Sequence, residues 1–283
     1  TVTGWLPLTE VRSTLFGSLI AALKFNLNRK ATRARLFELG RVFMTDADAQ
    51  AGPLAVQGIR QPQRLGALAY GPRLDEQWAA PTQDVDFFDL KGEVERLLAG
   101  RSGLRFVAAS HPALHPGRSA RVELDGRAIG WLGELHPALQ QRYELPKPAV
   151  LFELDAEALR DAPLPQAQPV PRFPAVQRDL ALWFADAVRM QQIDDAVKAL
   201  AQRDARLASL REFRLFDLYR PSVGDSSKIA GAGANALLNK EKSLAFRIQL
   251  QDTERTLSDA DADAAMAAIV EELGARFGAR LRQ

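Results

Sequence analysis

Three histidines, His111, His115 and His136, are the residues best suited to hold a metal, and the first two stand four apart. That spacing puts two imidazoles on one face only within a helix, and Pro112 and Pro116 deny a helix there. These are better read as loop and turn histidines that order the segment before Arg118 by hydrogen bonds. The run "HPGRSA" from His115 to Ala120 offers Gly117 for close backbone approach and Arg118 as a bidentate anion donor. No P-loop lysine or glycine fingerprint accompanies it, and a tight turn entering a strand explains the same residues. With no cysteine in the chain, thiol nucleophiles, cysteine zinc sites and disulfides are excluded together. No catalytic residue and no metal ligand is assigned.

A second constellation depends on strands near the C-terminus. Leu180, Leu182 and Phe184 alternate along one strand, and Leu244, Phe246, Ile248 and Leu250 along another, so these should meet helices. The opposite face then carries Ala181, Trp183, Ser243, Ala245, Arg247 and Gln249. An exposed tryptophan beside an arginine is a pair that can stack on a base and hold a phosphate. Trp183 could instead pack under a linker or against a partner. Arg214 and Arg220 bracket the middle strand and Arg178 precedes the first, so positive charge gathers on the strand side. Asp194, Asp195, Asp259, Asp261 and Asp263 sit on the helices. The candidate RNA-binding set is Arg178, Trp183, Arg214, Arg220, Lys242 and Arg247.

The elements that must position these residues divide at a proline cluster. Pro163, Pro165, Pro169, Pro171 and Pro174 lie closer together than a helix or central strand accepts, which predicts a linker over residues 163–174. After it, at 175–283, the pattern reads strand 179–184, helix 189–202, strand 210–219, strand 242–251, helix 258–277 and a short strand 279–282. That βαββαβ order is the ferredoxin-like unit. Ser258 and Asp261 form a capping-box pair that starts the second helix. In the middle strand Phe213, Leu215 and Tyr219 compete with Phe216 and Leu218 for the core face, which a bulge would reconcile. The segment 221–241 is rich in Gly, Ala and Ser and long for a hairpin loop, hence expected to be mobile.

Before the linker, at 1–162, a mainly antiparallel sheet with a few helices is the economical reading. From Glu10 to Asn28, Phe16, Ile20, Leu23 and Leu27 recur at helical spacing beside a second row, Leu15, Leu19 and Ala22. So wide an apolar face is either deep in a core or shared with a partner. Residues 33–44 read as a strand, or two strands with a turn near Gly40. Strands at 66–70, 105–108, 119–124, 128–132 and 149–154 and a helix at 89–98 follow, with "DGR" at Asp125–Arg127 a hairpin signal.

The hydrophobic share of 47% and charged share of 25% are those of an ordinary globular protein. No apolar run reaches the ~18 residues of a spanning helix and no secretory signal opens the chain, so a cytoplasmic protein without membrane contact is expected. A net charge of +2 rules out binding nucleic acid by bulk charge, and any RNA contact must come from local placement. The chain starts at Thr1, without methionine, and a fragment is expected.

Three segments carry a resemblance to a known family. They are "RSTLFGSLIAALKFNLNRKATRARLFELGRVF" from Arg12 to Phe43, "HPALHPGRSARVELDGRAIGWLGELHPAL" from His111 to Leu139, and "PRFPAVQRDLALWF" from Pro171 to Phe184. The last is taken with "RLFDLYR" at Arg214–Arg220 and "KSLAFRIQLQDTERTLSDAD" at Lys242–Asp261. In order and spacing they resemble the C-terminal part of the bacterial phenylalanyl-tRNA synthetase beta subunit. The resemblance implies an α+β chain. A class II synthetase-like antiparallel sheet with helices, inactive and engaged at a subunit interface, comes first; a ferredoxin-fold anticodon-binding domain follows. It further implies the alpha subunit and tRNA(Phe) as partners, an alpha-two beta-two tetramer, and ATP and Mg2+ used by the holoenzyme but not bound by this stretch. The family's editing and beta-subunit magnesium sites lie upstream. The residues expected at the subunit interface are Arg12, Phe16, Ile20, Leu23 and Leu27. One departure is the segment 221–241, longer than the family's usual connection. A class II active site also needs arginines that clamp ATP and a glycine-rich strand ending in arginine. Here only Arg41 and Arg118 are candidates, and "AVLFELDAEAL" has no glycine pair. The competing reading is a free-standing RNA-binding or chaperone protein, which a wide apolar helix, hard for a monomer to hide, argues against.

Overall fold

The computed structural model describes residues 12–282 except 53–54, 102, 161–163, 165–166, 168–169 and 222–239. Contacts divide the chain into two units, Thr1–Gln166 and Ala167–Gln283. Both are α+β and built on antiparallel sheets. Pro163, Pro165, Pro169 and nearly all of the segment 221–241 lie outside the described residues.

In the first unit six strands pair in the order β1-β4-β8-β7-β6-β5. They are β1 Ala34–Arg41, β4 Gln63–Tyr70, β5 Leu104–Ala108, β6 Leu114–Leu124, β7 Arg127–Leu135 and β8 Val150–Asp155, and a separate small hairpin joins β2 Met44–Thr45 to β3 Ile59–Arg60. Strand β8 shows why two helical layers are needed. Leu151 faces one core, while Val150, Phe152 and Leu154 face the other. Helix α1 (Phe16–Leu27) covers the first face and α2 (Phe87–Leu97) the second, with α3 (Pro137–Arg142) following β7. The β6–β7 turn places Asp125 and Gly126 at φ 50° and 77°, the pair of positive values that a two-residue turn of matching twist requires.

Several expectations are corrected here. The two apolar rows of α1 are covered by the unit itself: Leu15, Phe16, Leu19, Ile20 and Leu23 are buried against Ala34, Leu68, Tyr70, Leu135 and Leu151. One flank does suffice, because Gly66 lets the helix sit down on β4; a Cβ there would lie 3.1 Å from Leu15 and Leu19. Arg12 also turns inward, bonding Ser18 Oγ at 3.1 Å and pairing with Glu38 at 2.6 Å. Leu27 is half-buried against the same core. No turn occurs at Gly40, which lies within β1 opposite Arg64. His115 to Ala120 belong to β6 rather than to a turn before it, in a stretch whose register with β7 slips between Leu114 and Ser119.

The second unit runs β9 (Val176–Ala185), α4 (Met190–Arg203), β10 (Leu210–Tyr219), β11 (Glu241–Leu250), α5 (Asp259–Phe277) and β12 (Arg280–Leu281), with sheet order β10-β11-β9-β12. Leu180, Leu182, Phe184, Leu244, Phe246, Ile248 and Leu250 pack with Ile193, Val197, Ile269 and Leu273 of the helices. Ser258 caps α5 through the N–H of Asp261, whose carboxylate accepts from the Ser258 N–H. The bulge in β10 falls at Phe216, between the pairs Leu215–Phe246 and Asp217–Ala245. It keeps Phe213 and Leu215 on the core and turns Phe216 outward.

Candidate nucleic-acid interface

Both helices of the second unit contribute to a core on one face of its sheet, and the side chains of the other face form rows set by strand pairing. Tyr219, Ser243, Trp183 and Arg280 stand opposite one another across four strands. Arg214, Arg247 and Asp179 form another row. Cross-strand neighbours this close must settle their charges among themselves. Arg247 does so with Asp179, through two bonds of 2.9 and 2.8 Å. The hydrogen bond from Arg247 holds the Asp179 carboxyl below its usual range. Arg247 also lies 5.0 Å from the Phe216 ring centroid, and Phe216 is 48% exposed.

Of the predicted RNA-binding residues, Arg214, Arg247 and Trp183 share this face, but Trp183 is not the exposed aromatic expected. It is only 5% exposed, edge-on to Tyr219 at 6.1 Å, with Arg282 across the ring. Its indole N–H has no hydrogen-bond partner among the described residues. Phe216, at the bulge, is instead the exposed ring on this face. Arg178 sits on the helix side and pairs with Asp259 at the start of α5, at 2.5 Å. Lys242 is buried on that same side, donating to the carbonyl of Asp186 at 2.8 Å, and burial lowers its pKa. Arg220 meets Asp186 at 3.0 Å, and Arg214 meets Glu212 at 3.5 Å. The expected concentration of unpaired positive charge on the strand side is thus corrected: each of these cations has an acidic or carbonyl partner. The strand-face arginines that sequence reasoning missed are Arg280 and Arg282, and only the register of β12 could have pointed to them.

The histidines of the first unit act on the backbone. Nδ1 of His111, His115 and His136 accepts from the N–H two residues on, in Ala113, Gly117 and Ala138, at 3.2, 3.0 and 3.1 Å. His111 packs against Phe16 and Trp131, and burial lowers its pKa. Arg118 spends its guanidinium on Glu134, at 2.8 and 3.1 Å. Glu153 accepts from Thr14 Oγ1 and the Leu15 N–H, at 2.8 and 2.6 Å, fixing the entry to α1. Among the described residues no three His, Asp or Glu side chains are grouped to hold a metal.

Comparison with known proteins agrees with this architecture. Residues 7–156 match the model of the phenylalanyl tRNA synthetase beta chain CLM domain, and residues 171–282 that of the ferredoxin-fold anticodon binding domain. A "Phenylalanine--tRNA ligase beta subunit" from Burkholderia lata is 54% identical over 276 residues, covering 97% of this chain and 33% of that protein. The protein of the same name from Ralstonia nicotianae is 50% identical over 272 residues, or 96% of this chain and 32% of that protein. A solved pyrrolysyl-tRNA synthetase from Desulfitobacterium hafniense superposes with a TM-score of 0.38 at 17% identity, covering 52% of this chain and 47% of that one, too low for any conclusion. The chain therefore belongs to the phenylalanyl-tRNA synthetase beta chain family, and it spans about a third of the length of these relatives.

Proposed function

We propose that this chain is the part of a phenylalanine–tRNA ligase beta subunit that scaffolds the catalytic alpha subunit and binds the anticodon stem-loop of tRNA(Phe), without catalysing a step itself. The holoenzyme would be a cytoplasmic alpha-two beta-two tetramer in which ATP and Mg2+ are used on the alpha subunit. The observation that carries the RNA reading is the sheet face that holds no helix among the described residues, where Phe216 is exposed beneath the Arg247 guanidinium with Arg214 in the neighbouring position. A planar ring supplies stacking for any base, and the flanking arginines favour the backbone beside it. For the partner, α1 offers no free apolar face. Among the exposed apolar side chains of the first unit, Phe37, Leu74, Phe88 and Leu97 line a groove of about 750 Å³ between β1 and α2. Exposed apolar surface of this kind suits a partner.

Titrating the whole chain with an anticodon stem-loop of tRNA(Phe) tests the RNA reading. Phe216→Ala should weaken binding by ~1 to 3 kcal/mol. Wild-type binding by that variant, or no binding by the wild type, refutes it. Mixing the chain with purified alpha subunit and measuring the mass of the complex separates this function from that of a free-standing RNA-binding or chaperone protein, which would form none.

A further inference from the structure

We infer that Arg282 and the indole N–H of Trp183 form a subsite for a backbone phosphate of the RNA bound on this sheet face, an inference that rests on the reading above. The first ground is a comparison of the arginines. Arg247 is taken by Asp179, Arg214 by Glu212 and Arg280 by Glu241, the last with both contacts at 2.7 Å. Any of these must surrender a carboxylate before it can hold a phosphate. Arg282 has no carboxylate partner among the described residues, and its only side-chain hydrogen bond within this group is a long one, 3.4 Å to Ser243 Oγ.

The second ground is an unmet donor. Trp183 is almost wholly buried, yet its Nε1–H has no acceptor among the described residues. A buried N–H without a partner is uncommon and calls for an explanation such as a group that arrives later. The Arg282 guanidinium lies 5.8 Å from the Trp183 ring centroid and 5.0 Å from that of Tyr219. Its backbone is held beside the tryptophan by the N–H of Arg282 bonding the Ala181 carbonyl at 2.9 Å. The side chain itself is exposed. An oxyanion that reaches both the Arg282 guanidinium and the indole edge accepts from both groups. A guanidinium fork and an N–H, neither of which accepts, select an anion, and on an RNA-binding face that anion is a phosphate.

The test uses the whole 283-residue chain and the anticodon stem-loop of tRNA(Phe) at several salt concentrations. Arg282→Ala should weaken binding about tenfold and reduce the slope of log K against log salt by about one. Arg282→Lys should keep the slope and recover part of the affinity, which also guards against a folding defect in the alanine variant. Trp183→Phe keeps a packed ring but removes the N–H, so it should weaken binding with the slope unchanged. In the wild type the indole proton assigned by that variant should move downfield as RNA is added. If Phe216→Ala weakens binding while Arg282→Ala changes neither affinity nor slope, the subsite is refuted and the face survives. If the wild-type chain does not bind the stem-loop, the reading of the face fails as well.

Discussion

Replacing Leu23 by alanine separates a core helix from an interface helix. Leu23 is fully buried in the first unit, at 0% exposure, among Phe16, Leu19, Ile20 and the sheet residues beneath them. Removing it deletes three buried carbons and leaves a cavity that a helix seated on a closed sheet cannot easily collapse. Such substitutions cost roughly 3 to 5 kcal/mol. For a domain of this size each kcal/mol shifts the midpoint by ~2 to 4 °C, so the melting of the first unit should fall by roughly 10 °C. Calorimetry on the whole chain reads this directly, with the transition of the second unit as an internal reference that should not move. Ile20→Asp is the harsher version: its carboxylate would be buried without a partner, and the first transition should vanish. If α1 instead faced a partner, both variants would melt like the wild type and only the mass of complexes would change. A shift below about 2 °C for Leu23→Ala would refute the reasoning.

Three further outcomes follow from local geometry. Because burial lowers the His111 pKa, its neutral form stabilises the fold above the unfolded value of about 6.5, and that stability is lost as pH falls through the lower folded value. His111→Asn, which can still accept from the Ala113 N–H, should therefore flatten the melting curve of the first unit between about pH 7 and 5. Hydrogen bonds from Arg255, then Ser258, hold the Asp261 carboxyl far below its usual range, so its contribution is present above about pH 4 and lost on further acidification. Arg255→Ala should weaken that acid dependence in the second unit, and Ser258→Ala should cost about 1 kcal/mol near neutral pH by urea unfolding. Gly71 has φ +76° and a Cβ there would come within 2.0 Å of the Thr32 carbonyl oxygen, so Gly71→Ala should destabilise the first unit by more than 1 kcal/mol in the same assay.

The second unit was legible because its determinants are local. Strict alternation at Leu180–Phe184 and Leu244–Leu250, helical spacing in α4 and α5, and the Ser258 cap each act within a few residues. The β10 bulge could be anticipated from conflicting alternation, but the choice of Phe216 as the outward residue depends on its register against β11. The face of α1 was visible as apolar, whereas its cover was not, since Leu68, Tyr70, Leu135 and Leu151 come from three strands distant in the chain. Gly66 had no local signal for the same reason: the space a Cβ would take there is crowded by Leu15 and Leu19, which arrive from elsewhere in the chain.

Cation placement was least legible, and the cause is geometric. Sequence shows that Asp179 and Arg247 exist but not that β9 and β11 set them directly opposite, where mutual hydrogen bonding removes both from the list of free charges. The same pairing occurs between Arg280 and Glu241 at the far edge of the sheet. A face whose arginines are mostly answered by its own carboxylates attracts RNA weakly at a distance, because the paired charges cancel beyond about one Debye length. Contact then rests on groups that gain something only when the ligand is present. On the proposed reading Phe216 would gain a stacked base in place of water, and Arg282 together with the Trp183 N–H would gain an acceptor that the described residues do not supply. Such an arrangement favours a partner delivered by the rest of an assembly over one captured from solution by charge.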